Sequence, residues 1–297
     1  MLAEASTILR MSTTPTTATL PATLALGATH LVVRDLDRAV AWYQEALGLR
    51  VHTHEPTEAE LGDGEVTTVV LHEDAQARPA GRTAGLYHYA LLYPTRAELA
   101  RAAVRLASTR TPIQGASTHA THEAIYLADA DGNGIELAAD FPRDAWGTLE
   151  DEMRQGGPQP LDFDDLVGEI AGEAAATQVA PGLRTGHLHL HVGSIADGLA
   201  FYRDVLGLEV QAELPSAVFA SAGGYHHHLG FNVWRGEGVP PVPPHVAGLR
   251  EWTMLLAPDE VAVVRARVEA AGLAVEALDD GFAVADPWGM RVAVRAA

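Results

Sequence analysis

The sequence predicts an α+β fold built from four β-α-β-β-β modules, and three observations carry that prediction. Gly27–Val51 (GATHLVVRDLDRAVAWYQEALGLRV) returns as Gly186–Val210 (GHLHLHVGSIADGLAFYRDVLGLEV), with Gly27/Gly186, His30/His189, Leu31/Leu190, Val33/Val192, Tyr43/Tyr202, Leu47/Leu206, Gly48/Gly207 and Leu49/Leu208 coinciding. A repeat of this length marks a duplicated unit. Within each copy an alternating stretch gives way to a helical apolar spacing, the signature of a strand followed by an amphipathic helix. A glycine then ends the helix, and further β-rich stretches follow.

In order, Leu26–Val33 and Leu188–Val192 read as the first strands. Asp35 and Asp197 precede the helices, and Gly48 and Gly207 stop them. Glu65–His72 and Val218–Trp234 are β-rich. New strands, Leu86–Tyr93 and Trp252–Ala257, lead into helices Ala97–Ala107 and Glu260–Ala271. The halves close with Ala124–Leu127 and Ile135–Ala138, and with Gly281–Ala285 and Arg291–Val294. Asp131-Gly132-Asn133-Gly134 is a strong hairpin-turn signal. The modules span roughly 25–75, 85–140, 184–236 and 250–296. The expected division is a disordered tail over 1–22, an N-terminal half over 23–146, a linker or covering arm over 147–181 and a C-terminal half over 182–297. Leu161–Glu173 is the helical candidate within the arm.

A formal charge of −19 argues against nucleic acid, since no basic stripe is present to neutralise phosphate. The absence of cysteine excludes disulfides and thiolate metal sites. No stretch is apolar for long enough to suggest a signal peptide or a membrane span. A cytoplasmic protein without membrane partners, assembling as a homo-oligomer, is the expectation.

GLYHYALLYP (85–94), EAIYLADADGNGIELAADFPRDAW (123–146), GHLHLHV (186–192) and SAGGYHHHLGFNVW (221–234) resemble the vicinal oxygen chelate superfamily, and more closely its bacterial extradiol ring-cleaving dioxygenases of the catechol 2,3-dioxygenase type. The resemblance implies that modules pair into two curved-sheet barrels, one of them around a divalent metal. It also implies that the ligands come from the first strand of each module and the last strand of one. One position lies fourteen residues before an aromatic of the following helix, where the second half has His187 and the first has Ala28. His88 takes the equivalent place in the second module; counting back from Pro94 and Pro258 puts Trp252 there in the fourth. The last-strand carboxylate falls on Glu136, with Ala293 as its fourth-module counterpart. The implied metal is Fe(II), with Mn(II) as the alternative, held by two His and one carboxylate with positions left open.

A complete set forms only if modules two and three share a barrel; a sequential pairing would need His30 to reach in from two residues further along its strand. A lone strand histidine is more often a packed or surface residue than a ligand, and Glu136 could be a solvated residue after a turn. His187, His189 and His191 alternate, so they should share one face, and three buried imidazoles there favour a polar cavity.

Tyr225-His226-His227-His228 is read as part of the last strand of module three; matching it to the family's acid–base segment puts the acid–base histidine on His227, and strand alternation should turn His226 and His228 to the opposite face. Histidine suits proton transfer near neutrality; the bland alternative is an exposed polar strand end. Tyr126, ten residues before Glu136, corresponds to the family's site tyrosine, although a core tyrosine would look the same. His119 is a candidate for contact with substrate or oxygen, and His122 a weaker one. The Phe-Pro-Arg-Asp-x-Trp run that includes Arg143, Asp144 and Trp146 has no evident chemical role.

The resemblance thus implies an extradiol dioxygenase acting on a catechol-type aromatic with O2, in aromatic hydrocarbon catabolism. A hydroquinone-type ring-cleaving dioxygenase would share the ligand set. A glyoxalase-like lyase or isomerase would use Zn, Ni or Co and usually a fourth protein ligand. A non-enzymatic small-molecule-binding module would need no metal set at all.

Overall fold

A computed structural model describes residues 19–297. Two nine-stranded mixed sheets, each open at both edges, carry the fold. One runs, edge to edge, Glu276–Leu278, Gly281–Ala285, Arg291–Ala296, Gly248–Leu256, Thr29–Val33, Thr67–Glu73, Glu58–Gly62 and Arg50–Glu55, with Ala25–Leu26 added beside Gly248–Leu256. The other runs Gln159–Pro160, Gly115–Thr118, His122–Ala128, Gly134–Asp140, Gly85–Leu92, Arg184–His191, Leu229–Asn232, Ala217–Ser221 and Glu209–Leu214. Modules one and four therefore share a sheet, and so do modules two and three. Each half of the chain contributes one module to each sheet.

The module grammar follows from the sequence. Asp35 caps Leu36–Leu47 by accepting from the Arg38 amide, and Gly48, at φ 71°, ends it in a conformation that costs a side chain dearly. The helix buries Leu36, Val40, Tyr43 and Leu47 against the sheet. In the second copy Ser194 stands where Asp35 does and takes the cap, while Asp197 falls in the first turn. Asp197, expected to precede the helix, therefore lies inside it. That helix then continues from Leu199 to Val205 with π-type winding. In the turn after His122–Ala128, Asp129 accepts from the amides of Asp131 and Asn133, so the anticipated hairpin is held by its own side chain.

The segment after residue 146 is a covering arm. It forms helices Leu149–Arg154 and Phe163–Gly168, and its Gln159–Pro160 strand pairs with Ser117–Thr118. Arg105, 3 % exposed, donates to the carbonyls of Leu47, Ala176 and Gln178, and Arg96 reaches Asp165 and Glu169. Within the anticipated tail, Leu20 is buried and its amide donates to Gly207. The tail up to residue 18 lies outside the described residues. No helix among the described residues is long and apolar enough to cross a membrane.

Candidate metal centre

Three neighbouring strands of the second sheet converge on one buried carboxylate. Gly85–Leu92 and Gly134–Asp140 run parallel with Ala90 opposite Glu136, and Arg184–His191 lies antiparallel with His189 opposite His88. The ladder slips register between Thr185 and Leu188, where His187 sits. His88 Nε2 and His187 Nε2 both lie 3.1 Å from Glu136 Oε2. The same three residues can offer ligand atoms all within 4.8 Å of one another. Atoms bound at about 2.1 Å and 90° apart around one ion would be separated by about 3.0 Å, so two edges of this group already have the length of a coordination face. Two imidazoles and one carboxylate are the donor set of a facial site with open positions. The residues fit a divalent metal.

Burial alone would raise the Glu136 carboxyl, but His187 and hydrogen bonds from His122, His187 and His88 hold it well below the usual carboxylate range. Burial also lowers His187, more than Glu136 restores it. Glu136 is thus held ionised and His187 neutral, the protonation states that metal ligands need.

His122, the weaker candidate on sequence, is nearer the centre than His119: its Nε2 lies 3.1 Å from Glu136 Oε1. His119 stacks on His122 at 4.5 Å, and its Nε2 lies 2.8 Å from the Tyr126 hydroxyl. Burial, followed by the negative charge of Glu136, raises Tyr126 well above its ordinary value. His119 also lies 3.5 Å from Glu152, a carboxylate of the arm.

His226, His227 and His228 are not on a strand. The last strand of module three begins at Leu229, and Gly223 and Gly224 at φ 59° and 63° turn the chain ahead of the histidines. Strand alternation does not apply, and both His226 and His227 face the cavity. His227 packs on His187 with ring centroids 4.0 Å apart, and its Nδ1 lies 2.9 Å from that of His226. His226 Nε2 is 3.3 Å from Asp140, which also accepts from Tyr225. Burial first, then His187 and His226, pushes His227 well below its ordinary value, and burial takes His226 to about 3. The run at 141–146 braces this loop. Arg143 stacks 4.0 Å over Trp146 and donates to the Gly224 carbonyl, and Trp146 donates to Phe141.

The outer histidines of Arg184–His191 share one amide. Asn232 donates to His189 Nε2 at 2.9 Å and accepts from His191 Nδ1 at 2.8 Å. Sequence reasoning missed Asn232, Asp140 and Glu152. Strand alternation from Glu136 through Ala138 would have put Asp140 on the same face. Nothing in the sequence ties Glu152 to His119.

These groups line a cavity of about 560 Å³ whose lining also includes the apolar side chains of Leu149, Met153, Leu214, Phe219 and Trp234. No Lys or Arg is among its lining residues.

The other sheet shows what the same geometry becomes without ligands. Glu251 pairs with His30 where His88 pairs with His189, so Glu251, not Trp252, is the counterpart of His88. One extra residue before Pro258 misled the count; Trp252 corresponds to Tyr89 and packs in the core. Glu251 is engaged by the Arg291 guanidinium, and His30 Nδ1 lies 3.0 Å from His72 Nε2. His30 sits in the sheet that lacks the metal group. A cationic side chain there meets the carboxylate.

Residues 25–137 and 184–294 match the model of the Glyoxalase/Bleomycin resistance protein/Dioxygenase superfamily. The chain is 38 % identical over 268 residues to a catechol-2,3-dioxygenase of Bacillus subtilis (strain 168), covering 88 % of this chain and 93 % of that protein. In structure it is similar to the cppA protein of Streptococcus pneumoniae, with TM-score 0.59, 13 % identity and coverage of 92 % and 99 %. Glyoxalase I from Zea mays gives TM-score 0.56, 16 % identity and coverage of 92 % of both chains.

Proposed function

Because the chain belongs to the Glyoxalase/Bleomycin resistance protein/Dioxygenase superfamily, we propose that it is an extradiol dioxygenase that opens catechol-type rings with O2 at an Fe(II) held by His88, Glu136 and His187. The observation that carries this reading is the convergence of two imidazoles on one buried carboxylate beside a neutral histidine, His227, that is free to move a proton. The similarity to a catechol-2,3-dioxygenase over most of both chains supports it.

The metal would supply chelation of both catechol oxygens and a meeting place for O2. The protein's own part is acid–base and steric. Held neutral by burial, His227 can take the proton of the second catechol hydroxyl and return it later in turnover. His226 and Asp140 orient it from behind. Tyr126 and His119 face the cavity from the opposite strand pair. The apolar lining residues exclude water and accept the ring and its substituents. No second carboxylate joins His88, Glu136 and His187 in a ligand group among the described residues, which disfavours a glyoxalase-like lyase. The reading places the protein in aromatic catabolism.

Anaerobic purification with metal analysis, followed by a catechol assay, tests the proposal. Stoichiometric iron and a yellow ring-cleavage product are expected. Manganese would change the metal and leave the reaction. Protein reconstituted with either ion that cleaves no catechol would refute it.

A further inference from the structure

We propose that Glu152, carried by the arm between the halves, sets the direction of a Glu152–His119–Tyr126 hydrogen-bond chain, so that Tyr126 donates away from the cavity and turns its lone pairs toward the substrate. The placement of Glu152 behind His119 rests on geometry, and the identity of the substrate rests on the proposed function.

Glu152 is 9 % exposed and accepts from the Ala120 amide at 2.7 Å through Oε2, the oxygen that lies 3.5 Å from His119 Nδ1. Burial works against its ionisation, but the hydrogen bonds from His119 and Ala120 outweigh it and keep the carboxyl below its ordinary value. An ionised carboxylate can only accept. A proton placed in the 3.5 Å gap between Glu152 Oε2 and His119 Nδ1 would therefore belong to Nδ1, and in an imidazole carrying only that proton Nε2 is an acceptor. The group 2.8 Å from that nitrogen is the Tyr126 hydroxyl, which has a single proton to give. Once it donates to His119, Tyr126 can only accept from whatever lies in the cavity. The chain thus makes the tyrosine an acceptor for a substrate hydroxyl.

The arm is built to hold this carboxylate still. Thr148 and Asp151 form a reciprocal capping box one residue before Glu152. The Gly147 amide donates to the Ala120 carbonyl, and Gln159–Pro160 pairs with Ser117–Thr118, so the arm clamps both sides of the segment bearing His119. On the other face His119 stacks on His122 at 14° between ring planes, which fixes the imidazole's plane. Those contacts leave the carboxylate to choose which nitrogen carries the proton.

The test reads the tautomer directly. Long-range ¹H–¹⁵N spectra of histidine-labelled, metal-free protein near neutral pH, with His119 assigned through His119→Gln, should show His119 protonated on Nδ1. In Glu152→Gln it should shift to a mixture or to Nε2–H, and Glu152→Asp should restore part of the wild-type signal. Loaded with metal, Glu152→Gln should lose about tenfold in kcat at unchanged metal content, within the range for disrupting a carboxylate behind a functional histidine. A wild-type His119 that is cationic or protonated on Nε2 overturns the proposal, as does a tautomer indifferent to Glu152→Gln. So does a tautomer that switches while kcat holds. If no catechol is turned over at all, the proposed function fails, while the spectra still decide the direction of the chain.

Discussion

The Tyr202 hydroxyl donates to Asp286 at 2.5 Å, and in the other half Tyr43 repeats the contact with Asp129 at 3.1 Å. In each case the tyrosine comes from a module of one sheet and the aspartate from a module of the other. The shared FY/WY and Asp positions of the repeat are therefore rivets between sheets, made twice by duplication.

Tyr202→Phe should cost about 1–2 kcal/mol in urea unfolding by removing a buried hydrogen bond to a partner that remains. Asp286 keeps the amides of Trp288 and Met290, but burial pushes its carboxyl up to about 6. A raised carboxyl favours the folded state below the unfolded pKa, and that contribution is lost as pH rises through about 6. Asp286→Asn should therefore flatten stability between pH 4 and 6, an effect measurable as denaturation midpoints across that window. A slope unchanged by the substitution would disprove the assignment.

The histidine pair His30 and His72, in the sheet of modules one and four, should act with the opposite sign. Burial, then the nearby positive groups, takes His30 and His72 to about 4. Their contribution is complete above the unfolded value near 6.5 and lost as pH falls toward 4. The double variant His30→Gln/His72→Gln should lose part of its acid sensitivity, by on the order of a few kcal/mol between pH 7 and 5. Urea titrations at the two pH values decide it.

Metal content separates the two sheets. His187→Ala and Glu136→Gln should each lower bound iron at least about tenfold, and His30→Ala should leave it untouched. Plasma emission analysis of the purified variants reads this. Iron lost from His30→Ala and kept by His187→Ala would reassign the centre.

His227→Ala should retain its iron and lose about 10²–10⁴-fold in turnover, the span of general acid–base catalysis. Anaerobic metal analysis alongside oxygen-electrode rates checks both halves of that statement, and loss of the iron would make His227 a ligand.

With no Lys or Arg lining the cavity, a carboxylate on the ring would be desolvated near Glu136 and Glu152 without a counter-ion. The ratio kcat/KM for 3,4-dihydroxybenzoate should fall about a hundredfold below that for an alkyl catechol. Equal ratios would mean that a cation reaches the substrate from outside the lining.

The duplicated grammar was legible because strand and helix periods, the glycine after each helix and the turn around Asp131 are local signals. The grouping of His88, Glu136 and His187 was legible through the family resemblance, with Ala28 and Ala293 marking modules that carry neither His nor carboxylate at the matching positions. Sequence failed where the third dimension decides. The histidine triplet was assigned strand alternation, but two left-handed glycines put it in a loop that brings His226 and His227 to the same side. One residue inserted before Pro258 displaced Glu251 from its true place opposite His30. Glu152 lies far from His119 along the chain, and only the docked arm joins them.

The crossed pairing of modules also bears on the order of assembly. Modules two and three occupy one continuous stretch of chain, so their sheet closes over a modest loop. Modules one and four lie at opposite ends, and their pairing, Thr29–Val33 with Gly248–Leu256, joins residues such as His30 and Glu251 that are 221 positions apart. Loop-closure entropy makes such contacts slow to form. The sheet bearing His88, Glu136 and His187 should consequently form first, and refolding should show metal capture before the last kinetic phase. The sheet of modules one and four would then be the last to close, over residues that have already come together.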